Sequence, residues 1–188
     1  MAILVTGDGG WAGLDQEIAG TLAEGGVGVV GFNSLKYLWT PHTPEGFAAD
    51  LGRILEYYLS QWQKQKAIVI GYSMGAGVLP FAMNRLPQAI RDRVALVVLL
   101  APGRNAQFEF HLSNWIPGAF GGHGDPVLPE AGRIADLRML CFYGERETDS
   151  ICPGSDGAGV KSIRMKGAHH LGGDYRTIAE TILEEAKQ

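Results

Sequence analysis

The chain has little cysteine, no excess of positive charge and no long hydrophobic run, and each shortage narrows what it can be. Only two of its 188 residues are cysteines, Cys141 and Cys152. Two buried thiols in a reducing compartment fit that count, and so does one disulfide closing a short loop in an oxidising one. Lys and Arg number 16 against 20 Asp and Glu, for a net charge of −4. Such a balance argues against nucleic acid as the main partner, because binding phosphate needs a basic face. No run of about 18 apolar residues occurs, so no membrane-spanning helix is expected. A signal peptide is not visible either: Met1 is followed at once by Ile3-Leu4-Val5, which reads as a core strand. A chain that opens inside a strand is expected to be a trimmed domain, and its N-terminus says nothing about compartment.

What is present is a core-forming composition. At 46% hydrophobic the 188 residues are expected to make one globular domain spanning 1–188. Short β-branched runs alternate with helical patterns, which predicts βαβ units and a mainly parallel sheet with helices on both faces. Strands are expected at 2–6, 27–32, 67–71, 94–100, 138–143 and 160–165. Leu14, Ile18 and Leu22 share one face of a first helix that stops at Gly25-Gly26. Thr43 reads as the N-cap of a second helix, with Pro44 at its first position and Phe47, Leu51, Ile54, Leu55, Tyr58 and Trp62 turned inward. A third helix follows from Met74 to Leu86. The last runs from about Tyr175 to Ala186, with Ile178 and Ile182 against the sheet. From 102 to 134 Gly, Pro and His break every period, yet Phe108, Phe110, Trp115, Ile116 and Phe120 keep the stretch apolar. A lid or pocket wall is expected there.

The most informative segment is Gly71-Tyr72-Ser73-Met74-Gly75, set between the apolar run Ala67-Ile68-Val69-Ile70 and a helix. Gly-x-Ser-x-Gly in that context is the nucleophile elbow of α/β-hydrolases. By chance alone one of the seven serines would carry both glycines with a probability of roughly 0.15, so the strand and helix around the motif carry the argument. A serine hydroxyl needs a base, and the base an orienting acid. In this fold they follow in the order Ser, acid, His, on loops after later strands. Gly144-Glu145-Arg146-Glu147-Thr148-Asp149 leaves one strand and Gly167-Ala168-His169-His170 leaves the next. Asp149 is preferred as the acid for its spacing to Pro153 and because Asp is the commoner orienter; Glu147, at short spacing from Gly144, is the alternative. Gly-x-x-His spacing selects His170 as base, with His169 packed nearby. A shared metal ion on these neighbouring histidines is not expected, since sequence neighbours rarely converge on one ion. His42, His111 and His123 read as loop histidines. No cofactor is expected.

An oxyanion hole needs two donors. One is expected from the N–H of Met74, the other from Asp8 or Gly9 in the strand exit Thr6-Gly7-Asp8-Gly9-Gly10-Trp11. A phosphate-loop reading of these glycines fails for want of Rossmann spacing or a Gly-Lys-Ser/Thr.

Taken together, Gly7-Asp8-Gly9-Gly10-Trp11, Tyr37-Leu38-Trp39, Gly71-Tyr72-Ser73-Met74-Gly75-Ala76, Asn84-Arg85-Leu86-Pro87, Cys141-Phe142-Tyr143-Gly144, Cys152-Pro153 and His169-His170 with Gly173-Asp174-Tyr175 resemble the VirJ/AcvB family of bacterial virulence proteins. The resemblance covers nearly the whole chain. Met74 and Gly77 depart from it, at positions where the family often carries Phe and an acidic residue. It implies the α/β-hydrolase fold, a periplasmic location, and a serine hydrolase that removes the amino acid from lysyl- or alanyl-phosphatidylglycerol. It also implies a Cys141–Cys152 disulfide, which would brace the acid's loop. Trp11, Tyr72, Trp39 and Glu109 are then expected to contact substrate, Asp8 or Glu109 to meet its α-amine, and segment 108–120 its acyl chains. Expected partners are a membrane phospholipid at the bilayer surface and components of a secretion system. Two other functions compete: a general carboxylesterase or thioesterase, which would prefer soluble esters, and a non-catalytic secretion factor, which would leave Ser73 unlabelled by a fluorophosphonate.

Overall fold

The computed structural model describes residues 1–109, 124–153, 155 and 159–187. Phe110, Trp115, Ile116, Phe120, His111 and His123 of the expected aromatic wall lie outside them.

Six strands form one sheet: β1 (Ala2–Val5), β2 (Val29–Phe32), β3 (Ala67–Tyr72), β4 (Val94–Leu100), β7 (Met139–Gly144) and β8 (Val160–Met165). Their order is β2-β1-β3-β4-β7-β8, and every neighbouring pair is parallel. Two short strands, β5 (Asn105–Ala106) and β6 (Asp125–Pro126), pair antiparallel at the stem of the 102–134 stretch. The helices are α1 (Gly13–Glu24), α2 (Ser34–Tyr37), α3 (Pro44–Gln61), α4 (Met74–Arg85), α5 (Gln88–Arg91), α6 (Val127–Gly132) and α7 (Tyr175–Ala186).

β1 and β3 are apolar throughout because helices cover both faces of the sheet, so no face is left to water. Ile3, Val5, Val69, Val97 and Leu99 pack with Phe47, Leu51, Leu55 and Leu79 of α3 and α4. Leu4, Ile68, Ile70, Val98 and Leu100 pack on the other side with Leu14, Ile18 and Leu22 of α1 and Ile178 and Ile182 of α7. Thr43 caps α3 as expected, its hydroxyl accepting the Gly46 N–H at 3.0 Å. Trp62 departs from expectation. It stands at the C-terminal cap of α3, 37% exposed, with its ring against Gly28 and Tyr58 rather than in the core. Phe108 is buried against Phe81 and Phe47, so the start of the aromatic stretch belongs to the core.

The chain leaves β1 toward β2 on one side and later enters β3 on the other. The crevice beyond the C-terminal ends of β1 and β3 is therefore the switch point where open α/β sheets place ligands.

Candidate active site

Ser73 follows β3 directly and caps α4 at φ 52° and ψ −113°, a conformation that costs a non-glycine residue about 1–3 kcal/mol. The two flanking glycines make it attainable. A Cβ on Gly71 would stand 2.7 Å from the Ala76 nitrogen. A Cβ on Gly75 would run into the carbonyls of Val5 and Thr6 at the end of β1. A bare Gly71 lets α4 turn back close over β3, and a bare Gly75 lets that first turn press against the end of β1. Gly7, just beyond β1, is also close: a Cβ there would meet the Ser73 Cβ at 3.2 Å. This exit is braced from below. The hydroxyl of buried Ser34 donates to the Gly7 carbonyl at 3.0 Å, and the Ser34 N–H donates to Thr6 Oγ1 at 3.1 Å.

Ser73 Oγ lies 2.7 Å from His169 Nε2, and His169 Nδ1 lies 2.7 Å from Glu147 Oε1. Glu147 is held in turn, its Oε2 accepting the Gly144 N–H at 3.3 Å, and its side chain is 9% exposed. Such a chain lets an imidazole accept the serine proton while a buried carboxylate holds the ring and balances its charge.

Two expected partners are thereby corrected. Asp149 is 76% exposed and 3.8 Å from Arg104 Nε, where it tethers the stem of the 102–134 stretch beside the bridge between Gly103 and Ser150. The reason is a tight turn. The Glu147 N–H donates to the Gly144 carbonyl, folding Glu147 back over the end of β7, while Asp149 is carried onward. The same turn is zipped to the histidine loop by Glu145 N–H to Met165 O and Arg146 N–H to Gly167 O, both 2.9 Å. Gly144 has no room for a side chain against the Ala168 carbonyl.

His170 is the second correction. The Leu171 N–H donates to the Ala168 carbonyl at 2.8 Å, making His169 and His170 the two central residues of one turn. Their rings diverge, 6.1 Å apart at 68°. Buried Leu171, at φ 52°, anchors the turn, and only His169 reaches Ser73. His170 Nδ1 instead lies 3.1 Å from the Tyr72 hydroxyl. Tyr72, expected to touch substrate, is 9% exposed and turned toward this loop. Burial, with the nearby Tyr175, Asp8, Asp15 and Glu147, holds its phenol well above the ordinary tyrosine range, so it is a neutral O–H.

Met74 opens α4, so its N–H is one of those without an acceptor inside the helix. Asp8 and Gly9 form the tip of a turn closed by Gly10 N–H to Gly7 O at 3.1 Å, next to Ser73. Trp11 lays its ring over Gly31 of β2 and remains 38% exposed; Trp39, just past α2, is 59% exposed; Glu109 is half-buried. Cys141 and Cys152 are joined in a disulfide whose Cα atoms are 5.5 Å apart, and it spans the Glu147 loop. Among the described residues no group of three or more His, Cys, Asp or Glu side chains could hold a metal ion.

Sequence reading missed the Ser34 brace and the Tyr72–His170 pair. Both join residues 28 to 98 positions apart, and no local pattern marks them.

The strand order and the elbow define an α/β-hydrolase fold. Solved structures share it at low identity. A protein from Xanthomonas campestris pv. campestris described as a hydrolase of the alpha/beta superfamily is 12% identical, with a TM-score of 0.63 over 99% of this chain and 97% of that one. An esterase from Pyrococcus furiosus is 14% identical, with a TM-score of 0.70 over 99% and 79%. A monoacylglycerol lipase from Paleococcus ferrophilus is 16% identical, with a TM-score of 0.62 over 98% and 94%. No curated protein matches the chain by sequence. The family model for the bacterial virulence protein VirJ matches residues 1–188, and the chain belongs to that family.

Proposed function

We propose that this protein is a serine ester hydrolase of the periplasm that removes the amino acid from aminoacyl-phosphatidylglycerol. The observation that carries the catalytic part is the unbroken Ser73–His169–Glu147 chain at 2.7 Å per link. Ser73 Oγ attacks the carbonyl carbon of the aminoacyl ester and passes its proton to His169 Nε2. Glu147 steadies the imidazolium that forms. The N–H groups of Met74 and of Asp8 or Gly9 receive the oxyanion. Collapse breaks the bond to the glycerol oxygen, which takes the proton from His169 and leaves as phosphatidylglycerol. Water, deprotonated by the same histidine, then releases the amino acid from Ser73.

The substrate class rests on the family. An aminoacyl ester is an activated acyl group with a cationic α-amine, and Asp8 or Glu109 would meet that amine. Trp11 and Trp39, exposed just past the ends of β1 and of α2, supply amphipathic rings of the kind that settle at a lipid headgroup layer. The disulfide favours an oxidising compartment.

The deciding experiment is lipid analysis after vesicles containing lysyl- or alanyl-phosphatidylglycerol are incubated with wild type and Ser73→Ala. Loss of the aminoacyl lipid with wild type alone is expected. Equal loss in both sinks the mechanism, and rapid turnover of p-nitrophenyl esters with untouched lipid sinks the substrate. Asp8→Asn and Glu109→Gln that leave the preference for aminoacyl lipid unchanged would remove the amine assignment.

A further inference from the structure

Tyr72 occupies an unusual place in the site. It is the last residue of β3, so the strand that delivers the nucleophile carries this phenol directly before it. The hydroxyl crosses to the histidine loop, 97 and 98 residues on, where it lies 3.1 Å from His170 Nδ1 and 3.5 Å from the His169 carbonyl oxygen. The Tyr72 ring faces the His169 ring with centroids 5.5 Å apart. Nothing in the Ser73–His169–Glu147 chain requires a tyrosine here, and a phenylalanine would fill the same space. Tyr72 is 9% exposed with the carboxylates of Asp8, Asp15 and Glu147 near it, and a largely buried hydroxyl without a partner is costly. Its partner is the residue adjacent to the base.

We propose that Tyr72 and His170 are positioning residues: the hydrogen bond between them pins the turn 168–171 to the nucleophile's own strand and so keeps His169 Nε2 within reach of Ser73 Oγ. The inference rests on the serine-hydrolase reading above. The Ser73 and His169 positions come from loops after β3 and β8, separated in the sheet by β4 and β7. Without a direct tie their separation would depend on every packing contact between those strands. With it, one O–H to nitrogen bond sets the distance locally. The phenol stays protonated, and its oxygen and His170 Nδ1 share one hydrogen bond at 3.1 Å. His170 is exposed and touches neither Ser73 nor Glu147 in the hydrogen-bonded chain, so its effect passes through the turn rather than through the reacting atoms.

The test compares wild type, Tyr72→Phe, His170→Ala, His170→Asn and the Tyr72→Phe/His170→Ala double variant. The readouts are the rate of Ser73 labelling by a fluorophosphonate, kcat and KM on a short p-nitrophenyl ester, and Tm. Tyr72→Phe and His170→Ala should each slow labelling and lower kcat about fivefold, the effect of losing one neutral hydrogen bond, with KM unchanged within about twofold. The double variant should be no slower than either single variant, because both remove the same bond. His170→Asn, whose side-chain oxygen can stand near the Nδ1 position, should recover much of the loss. Should Tyr72→Phe fail to fold, His170→Ala and His170→Asn carry the test alone, since His170 is on the surface. Labelling at the wild-type rate in either single variant, whatever happens to Tm, overturns the proposal. Wild type that takes no label overturns the hydrolase reading and this proposal together, so the two failures are distinguishable.

Discussion

Replacing Glu147 by Gln keeps the shape of the side chain and removes its charge, while Asp149→Asn does the same two residues away. At 2.7 Å and an effective dielectric near 20, a carboxylate attracts an imidazolium by about 6 kcal/mol. Glu147 is buried, but the His169 side chain is 45% exposed, so water screens part of that attraction. A loss of about 4 kcal/mol of transition-state stabilisation, roughly 10³-fold in kcat/KM, is the expected result for Glu147→Gln. The amide also offers N–H where the imidazole N–H needs an acceptor, which favours the wrong tautomer. Asp149→Asn removes only an exposed, 3.8 Å pair with Arg104, for which about 0–1 kcal/mol of stability and less than a threefold change in rate are expected. Steady-state hydrolysis of a p-nitrophenyl ester, with fluorophosphonate labelling as a substrate-free check, measures both. An Asp149→Asn loss equal to or greater than that of Glu147→Gln would refute the assignment of the acid.

The remaining predictions concern stability. Cys152→Ser should cost about 3 kcal/mol in denaturant unfolding, the loop-entropy value for closing so short a loop, and reducing agent should match it in wild type. Buried Asp15 has its pKa raised chiefly by burial, and its Oδ1 has no hydrogen-bond partner among the described residues. A raised acid costs stability above its folded pKa and ceases to cost as pH falls toward its unfolded value. Asp15→Asn should therefore be more stable than wild type at pH 7, and the gap should close near pH 3.5; a gap that widens on acidification would contradict this. Within α4, Gly77→Ala should stabilise by about 0.5–1 kcal/mol, since a Cβ there meets Ala106 at an ordinary 3.6 Å. Gly75→Ala should destabilise by more than about 3 kcal/mol or prevent folding, because the new Cβ would meet the β1 carbonyls. Thermal melts of the pair check both.

The secondary structure was largely legible. β1, β3 and β4 are short apolar runs, as strands of a sheet covered on both faces must be, while β8 at the sheet edge mixes Val160, Ile163 and Met165 with exposed Lys161 and Arg164. The β7 and β8 strands and helix α7 fall within a residue or two of their expected bounds. Trp62 was misplaced because the helical stripe was continued one step beyond the last turn of α3, onto its cap. The elbow serine was legible for a backbone reason: only glycine tolerates the close approach of α4 to β3 at position 71 and of α4 to β1 at position 75.

The sequence by itself determined the six strands of the main sheet, their parallel arrangement, the four long helices and the elbow serine, because apolar periodicity and paired glycines act over a few neighbouring residues. Which histidine faces Ser73, and which acid faces that histidine, was decided only by the tertiary structure. Glu147 and Asp149, like His169 and His170, differ by one or two places within a turn, and a turn's direction is set by what it packs against. Here that is Gly144 pressed on Ala168, Leu171 buried beneath the histidines, and a tyrosine hydroxyl from β3. These contacts join residues far apart in the chain, so no local pattern could have ranked the candidates.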